Sequence, residues 1–292
     1  MGALPASRLD IGTPEGRQAL CGPLVDLCNE AAAAILAVYA GGFDVTTKVD
    51  RSPVTAADLA AHHVLCDGLA KLTPGIPVLS EESAGIPWSI RRAWRRFWLV
   101  DPLDGTREFI KRNGEFTVNV ALIEDGVSVL GIVQEPVTGV WHVGHVGTGL
   151  WRGTGPWQPQ SPPLTGLPRP RPAGRLRVAL SRSHHTDRAA PLLEAWPVTE
   201  QVALGSSLKY CRMVDGQLDV YPRLGPTSGW DTAAAHAVLV TGGGCLVDES
   251  GAELRYGQGD SLLNPWFLAL ADARQLPSLL PAFQLAAATT WR

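Results

Sequence analysis

No Cys-x-x-Cys pair occurs in the chain, and its five cysteines, Cys21, Cys28, Cys66, Cys211 and Cys245, are odd in number and widely scattered. That pattern argues against a cysteine zinc site and a disulfide framework, and it predicts reduced, buried thiols. Positive charge is not in surplus either, since 25 Lys and Arg stand against 28 Asp and Glu, a net charge of −3. A nucleic-acid polymer or an acidic membrane finds no basic field here, so any site for a small anion has to be local. The longest apolar run, Ala31 to Ala40, is too short to span a bilayer. The opening Met-Gly-Ala-Leu-Pro-Ala-Ser lacks the charged start and apolar stretch of a signal peptide, and Ala6 stands where myristoylation wants Ser or Thr. The expectation is a cytoplasmic protein without a transmembrane segment, with peripheral contact at the inner membrane left open. Neither an internal repeat nor a coiled-coil run is found.

What is present suits an enzyme of two packed halves, since 292 residues exceed the needs of one small core. Pro156 to Pro172 is rich in Pro, Gly and Ser and has no periodicity. It predicts an N-terminal α+β domain over 1–155, a proline-rich linker over 156–174 and a C-terminal α/β domain over 175–292. In the first half, Leu24 to Ala40 has helical spacing and stops at Gly41-Gly42, and Phe43 to Val49 alternates weakly like a strand. From Glu115 to Trp151 the period becomes two, with turns at Glu124-Asp-Gly, Thr138-Gly and Gly147-Thr-Gly, which predicts an antiparallel meander. The second half offers strands at Leu176–Leu180, Val220-Tyr221, Cys245–Val247 and Phe267–Ala271, with helices over Ser206–Val214 and Trp230–Val240. Such a mixture predicts an α/β layer arrangement.

The chain is organised around Trp98-Leu-Val-Asp-Pro-Leu-Asp-Gly-Thr-Arg-Glu-Phe109. The apolar run Phe97 to Val100 reads as a buried strand, yet it ends in Asp101 and Asp104, and an unpaired buried charge is costly. A divalent cation between them turns that cost into attraction. Pro102 ends the strand and turns the chain, so both carboxylates and the Leu103 carbonyl can converge on one point. Gly105 permits a backbone conformation that strains other residues, and the Thr106 hydroxyl with the following amides can hold an anion at a helix start. The bland alternative is an Asx-type turn cornered at Asp104-Gly105.

Further acids stand at similar places. Pro77-Val-Leu-Ser runs into Glu81-Glu82, another apolar stretch ending in carboxylates, of which Glu81 is the one assigned to chemistry. Thr55 predicts a helix N-cap with Asp58 closing the capping box, and that role alone would account for Asp58. Asp231 follows Trp230 at a helix start, where the macrodipole favours a carboxylate in any protein. His62 and His63 have no partners at ligand spacing, and surface or packing roles suit them.

Glu81-Glu82, Asp101-Pro-Leu-Asp-Gly-Thr106 and Trp230-Asp231-Thr-Ala-Ala234, in this order, resemble the three-block signature of the inositol monophosphatase superfamily, the Mg²⁺-dependent, lithium-sensitive phosphomonoesterases. The flanks Ser52-Pro-Val-Thr-Ala-Ala-Asp58, Arg107-Glu-Phe-Ile-Lys-Arg-Asn-Gly-Glu-Phe116, Gly205-Ser-Ser-Leu-Lys209 and Tyr221-Pro-Arg-Leu-Gly-Pro226 are similar to its bisphosphate nucleotidase branch. Arg107 replaces the Lys of that branch and keeps its charge. The resemblance implies a layered α-β-α-β-α sandwich and a site for two or three Mg²⁺ ions. It implies metal ligation by Glu81, Asp101, the Leu103 carbonyl, Asp104 and Asp231, with Asp58 and Thr106 taking the proton of the attacking water. His184, Ser206, Lys209 and Arg223 match positions that contact the nucleotide, while Gly105, Thr106 and Asp231 adjoin the phosphate.

The implied reaction is Mg²⁺-dependent hydrolysis of adenosine 3′,5′-bisphosphate to AMP and phosphate, a step of sulfur assimilation, with the 5′-phosphosulfate analogue as a second candidate substrate. An inositol or sugar monophosphatase on the same scaffold is the alternative. Lys209 and Arg223 argue against it, because a second phosphate wants a second basic pocket. A nucleotide-binding regulator without catalysis is a third reading, which the full set of carboxylates with Thr106 opposes.

Overall fold

The computed structural model describes residues 11–41, 45–47, 53–168, 174–183 and 187–290. Helix α1 runs Pro14–Ala40, capped by Thr13, whose hydroxyl accepts the Gly16 amide at 3.1 Å. It starts ten residues before the predicted Leu24, because Pro23, which reads as a break, is carried inside the helix. By length and composition α1 could cross a membrane, but Leu20, Leu24, Ala31 and Ile35 along it are buried in the core.

Strands β1 (Val45–Thr47) and β2 (Pro53–Thr55) pair antiparallel and lead into α2 (Ala56–Leu72). The remainder of the strand expected over Phe43–Val49 lies outside the described residues. Next come β3 (Val78–Ser80), a 3₁₀ turn at Glu81–Ser83, α3 (Trp88–Arg91), β4 (Arg96–Asp104) and α4 (Thr106–Ile110). The expected meander follows as β5 (Thr117–Glu124), β6 (Val127–Gln134), β7 (Val140–His145) and β8 (Gly149–Thr154). These strands form a six-stranded sheet in the order β3-β4-β5-β6-β7-β8, in which β3 lies parallel to β4 and the other pairs are antiparallel.

The second half contains β9 (Leu176–Ser181), α5 (Ala190–Ala195), β10 (Val198–Leu204), α6 (Leu208–Val214), β11 (Val220–Arg223), α7 (Trp230–Thr241), β12 (Cys245–Asp248), β13 (Phe267–Leu270) and α8 (Leu276–Thr290). Its sheet has five strands in the order β10-β9-β11-β13-β12. β10 escapes sequence reading because it is an edge strand whose side chains are mostly exposed, and α8 because Pro281 lies inside it.

α1 and α2 pack together on the outer face of the six-stranded sheet. α6 and α7 fill the space between the two sheets, and α5 and α8 cover the far side of the five-stranded one. The result is the layered α-β-α-β-α sandwich. α7 comes close enough to the first sheet that a Cβ added at Gly131 would overlap the Ala234 carbonyl. That close approach, with the run Ala233–Ala235, carries the start of α7 toward the end of β4.

The described part of the proline-rich stretch packs on the first sheet. The Trp157 ring lies 5.4 Å from Trp141 and 5.7 Å from Trp151, Trp151 Nε1 donates to the Ser161 carbonyl at 3.1 Å, and Leu164 N–H donates to the Leu150 carbonyl at 2.7 Å. We propose that the division at 156–174 marks the passage of the chain from one sheet to the other rather than a gap between two cores, since Leu150 and Tyr210 share the central cluster and Leu164 packs against it.

Candidate active site

Strand β4 keeps its antiparallel register with β5 as far as Asp101, opposite Asn119, and resumes it at Asp104, opposite Thr117. Pro102 and Leu103 bulge out of the ladder between these pairs, and β4 continues through Pro102 to Asp104 instead of ending there as the sequence reading expected; a proline without an N–H is tolerated at a bulge, where no ladder bond is asked of it. Asp101 is buried, and the Leu103 amide donates to its Oδ1 at 3.1 Å. Gly105 stands at φ +97°, and an added Cβ would lie 2.9 Å from the Glu115 carbonyl oxygen, so both conformation and space require glycine. α4 then begins at Thr106.

Asp58 carries the cap and the chemical role together. Its Oδ2 accepts from the Thr55 amide and hydroxyl, each at 2.7 Å, which is the capping box at the start of α2. Its Oδ1 accepts the Thr106 hydroxyl at 3.1 Å, and that hydroxyl also lies 3.4 Å from the Leu103 carbonyl. The two residues are 48 apart in sequence, so only the fold makes this pair. Burial pushes the Asp58 carboxyl above its ordinary range against the Thr55 hydrogen bonds that lower it.

Asp231 lies in the first turn of α7 and accepts the Ser228 amide on Oδ2 at 2.9 Å. Burial, with Asp104 as the largest repelling charge, pushes its pKa up to about 8. Asp101 is raised well above the usual range by burial, then by Glu81, Asp104 and Asp231. Asp104 is also raised by burial, opposed by Lys209 and by hydrogen bonds from Ser207 and Asn119. Glu81, on the 3₁₀ turn after β3, lines the same cavity. Two like charges about 4 Å apart repel by roughly 4 kcal/mol at an effective dielectric near 20. A group of oxygen donors under such mutual repulsion fits hard divalent cations.

The same cavity carries cations. Glu81, Asp101, Asp104 and Asp231 share a cavity of about 400 Å³ with Arg107, Glu108, Ser206, Lys209, Tyr221 and Arg223. Ser206 sits at φ +46°, left-handed for a non-glycine residue and therefore strained. Lys209 Nζ donates to the Ser206 carbonyl at 2.6 Å and the Leu204 carbonyl at 3.2 Å, and lies 5.0 Å from the Tyr221 ring centre. The two carbonyls take two of the three donors of the ammonium. Burial pushes the Lys209 pKa down to about 8. Arg223 is buried on β11; its Nη2 donates to the Pro226 carbonyl at 2.8 Å and its Nε has no hydrogen-bond partner among the described residues. His184 lies outside the described residues.

The fold thus gathers Asp58, Glu81, Asp101, Leu103, Asp104, Gly105, Thr106, Ser206, Lys209, Arg223 and Asp231 from across the chain. Sequence reading overlooked the residues that hold them, namely Asn119, Ser207 and the Ser228 amide. Asn119 left a signal, as the one amide inside the otherwise apolar Val118–Ile123. A second group with metal-ligand spacing among the described residues, Glu135, His142 and Cys211, has its ligand atoms within 4.8 Å of one another. Both Glu135 oxygens accept from Arg212 at 2.8 Å and His142 Nε2 faces Asp215 at 3.2 Å, so this is a polar network tying the C-terminal end of α6 to β7 and to the residue that follows β6.

Residues 18–280 match the model of the inositol monophosphatase family. The 3′(2′),5′-bisphosphate nucleotidase CysQ of Salmonella typhimurium is 46% identical over 243 residues, 82% of this chain and 95% of that protein. Its namesake in Haemophilus influenzae is 34% identical over 230 residues, 78% and 84% of the two chains. The crystal structure of CysQ from Bacteroides thetaiotaomicron superposes with a TM-score of 0.72 at 36% identity, over 87% of this chain and 97% of that one. The Thermotoga maritima IMPase shares the fold, with a TM-score of 0.72 at 19% identity over 91% and 97% of the two chains. With the three acidic blocks meeting at one cavity inside the five-layered sandwich, the chain belongs to the inositol monophosphatase family.

Proposed function

We propose that the chain is a cytoplasmic bisphosphate nucleotidase that hydrolyses adenosine 3′,5′-bisphosphate to AMP and phosphate and also accepts the 5′-phosphosulfate analogue. The observation that carries this reading is the pair of buried cations, Lys209 and Arg223, lining the same cavity as the carboxylates. A phosphomonoester with a single phosphate has no use for both. The names of the CysQ relatives support the same substrate class.

Glu81, Asp101, the Leu103 carbonyl, Asp104 and Asp231 would hold two or three Mg²⁺ ions. Bound there, the ions supply charge neutralisation and Lewis-acid polarisation of the phosphoryl oxygens. The chain's own proton acceptor is Thr106, backed by Asp58. The Thr106 hydroxyl already donates to Asp58 Oδ1, so its oxygen is free to accept a proton from water while its own proton moves to the carboxylate. The raised pKa of Asp58 favours that transfer. Arg223 offers a planar fork and Lys209 a point charge to the second phosphate, which sets the 5′ end of the nucleotide against the second sheet.

A phosphate-release panel over adenosine 3′,5′-bisphosphate, its phosphosulfate analogue, adenosine 3′-monophosphate, inositol monophosphate and sugar phosphates tests the reading. Bisphosphate preference is expected, lost on chelation and restored by MgCl₂. A preference for inositol or sugar phosphates would transfer the assignment to the alternative, and no turnover of any of them to the regulator.

A further inference from the structure

Three of the clustered aspartates are held by the backbone of their own turns. The Thr55 amide donates to Asp58, the Leu103 amide to Asp101 and the Ser228 amide to Asp231. Asp104 is held from a distance. Its Oδ2 accepts from Asn119 Nδ2 at 3.2 Å and from Ser207 Oγ at 3.0 Å, side chains 15 and 103 residues away. Asn119 and Ser207 are each 1% exposed. We propose that Asn119 and Ser207 are positioning residues that fix the Asp104 carboxylate for cation binding and keep it in register with Asp231 and Lys209, an assignment that rests on the reading of Asp104 as a cation ligand.

The hydrogen bonds form a directed chain. Asn119 Nδ2 has two hydrogens, one for Asp104 and one for Ser207 Oγ at 3.0 Å. With its lone pair engaged there, the Ser207 hydroxyl points its single hydrogen toward Asp104 Oδ2, the charged acceptor, while the Asp231 carbonyl lies equally near at 3.0 Å. Both side-chain donors thus meet one oxygen of Asp104, the Ser207 amide also bonds the carboxylate, and Asp104 lines the cavity. Ser207 also opens α6, two residues before Lys209, whose Nζ holds the carbonyl of Ser206. One turn of chain therefore touches the carboxylate that binds the cation, the backbone of the third acidic block and the cation for the second phosphate.

Ligand-orienting partners of this kind typically change metal affinity or activity by 10- to 100-fold. The test is isothermal titration of MgCl₂, without nucleotide, into the full-length parent, Ser207→Ala, Asn119→Leu, Ser207→Thr and Asp104→Asn, each checked for a cooperative melt. Ser207→Ala and Asn119→Leu are expected to weaken Mg²⁺ binding by about 10- to 100-fold and to lower kcat with little change in nucleotide KM. Ser207→Thr, which keeps the hydroxyl, should recover most of the affinity. Asn119→Leu tests the same point if Ser207→Ala proves unstable. Parent-like Mg²⁺ affinity in the Ala and Leu variants, with Asp104→Asn impaired, overturns the positioning role alone. Parent-like affinity in Asp104→Asn removes the cation-site reading and the proposal with it.

Discussion

Replacing Arg223 with alanine tests substrate choice most directly. The side chain is 6% exposed and lines the cavity that holds the carboxylates, so an anion reaching its guanidinium meets a donor already stripped of most of its water. A hydrogen bond to a charged group contributes about 1.5–3 kcal/mol, which at about 1.4 kcal/mol per decade is a rise in KM of roughly 10- to 150-fold for the bisphosphate. The variant also strips the Pro226 carbonyl of its donor, loosening the turn that presents the Ser228 amide to Asp231. That second loss strikes every substrate alike. The assay is therefore a ratio, kcat/KM for adenosine 3′,5′-bisphosphate over kcat/KM for adenosine 3′-monophosphate, in which shared structural damage cancels. Lys209→Met should shrink the ratio in the same way. In the parent, Lys209 loses its proton as pH rises through about 8, so the ratio should fall above that pH and should stay flat in Lys209→Met. A ratio that Arg223→Ala leaves unchanged would put Arg223 in support of the turn and return the sugar-phosphate alternative to contention.

Thr106→Ala should cost about 10²–10⁴ in kcat, the range for a positioned proton acceptor, while MgCl₂ affinity by calorimetry changes little. Asp58→Asn should match it and also melt lower by about 1 kcal/mol for the weakened capping box; normal kcat with only the lowered melt would leave Asp58 a cap. Asp101, Asp104 and Asp231 have folded pKa values above their unfolded ones, so the metal-free protein holds more protons folded than unfolded and loses stability as pH climbs from about 4 toward 8. MgCl₂ should therefore raise Tm more at about pH 8 than at about pH 5, and a pH-independent gain in scanning calorimetry would refute the clustered charges as its target. Arg212→Met leaves the Glu135 carboxylate buried and unpaired and should destabilise by about 3–5 kcal/mol in urea unfolding; a loss under about 1 kcal/mol would mean that the ion pair does not anchor α6.

Much of the fold was legible because its signals are local. The meander announces itself through period two and three turns, and Thr55 with Asp58 spells a capping box that the structure contains. The acidic blocks could be named for a related reason: short apolar strands that end in carboxylates contradict ordinary burial, and such conflicts mark function. β10 was invisible because an exposed edge strand needs no apolar alternation. The beginning of α1 was hidden by Pro23, which the helix tolerates. Asn119 and Ser207 belong to a different class, because their partners lie 15 and 103 residues away and no window along the chain contains both ends. The proline-rich stretch reads from composition as a linker, and composition averages away its Trp157, Leu164 and Leu167, which are partly buried and pack against the core clusters.

The choice between structural and chemical roles for these acids dissolves once their two oxygens are counted separately. Asp58, Asp101, Asp104 and Asp231 each give at least one oxygen to hydrogen bonds from the chain. A carboxylate has room for about four hydrogen bonds, so one anchored oxygen still leaves acceptor sites for a proton or a cation. Anchoring by cap and turn amides adds no side chain to the site and fixes the rotamer before any ligand arrives. A reactive carboxylate on a free rotamer would have to be ordered at the moment of binding, at an entropy cost of up to about 1.5–2 kcal/mol for the longest side chains. Helix starts and strand ends supply amides that need acceptors in any case. That is why Asp58, Asp101 and Asp231 read equally well as caps or turns and as chemistry, whereas Asp104, held by Asn119 and Ser207, draws on side chains from elsewhere in the chain.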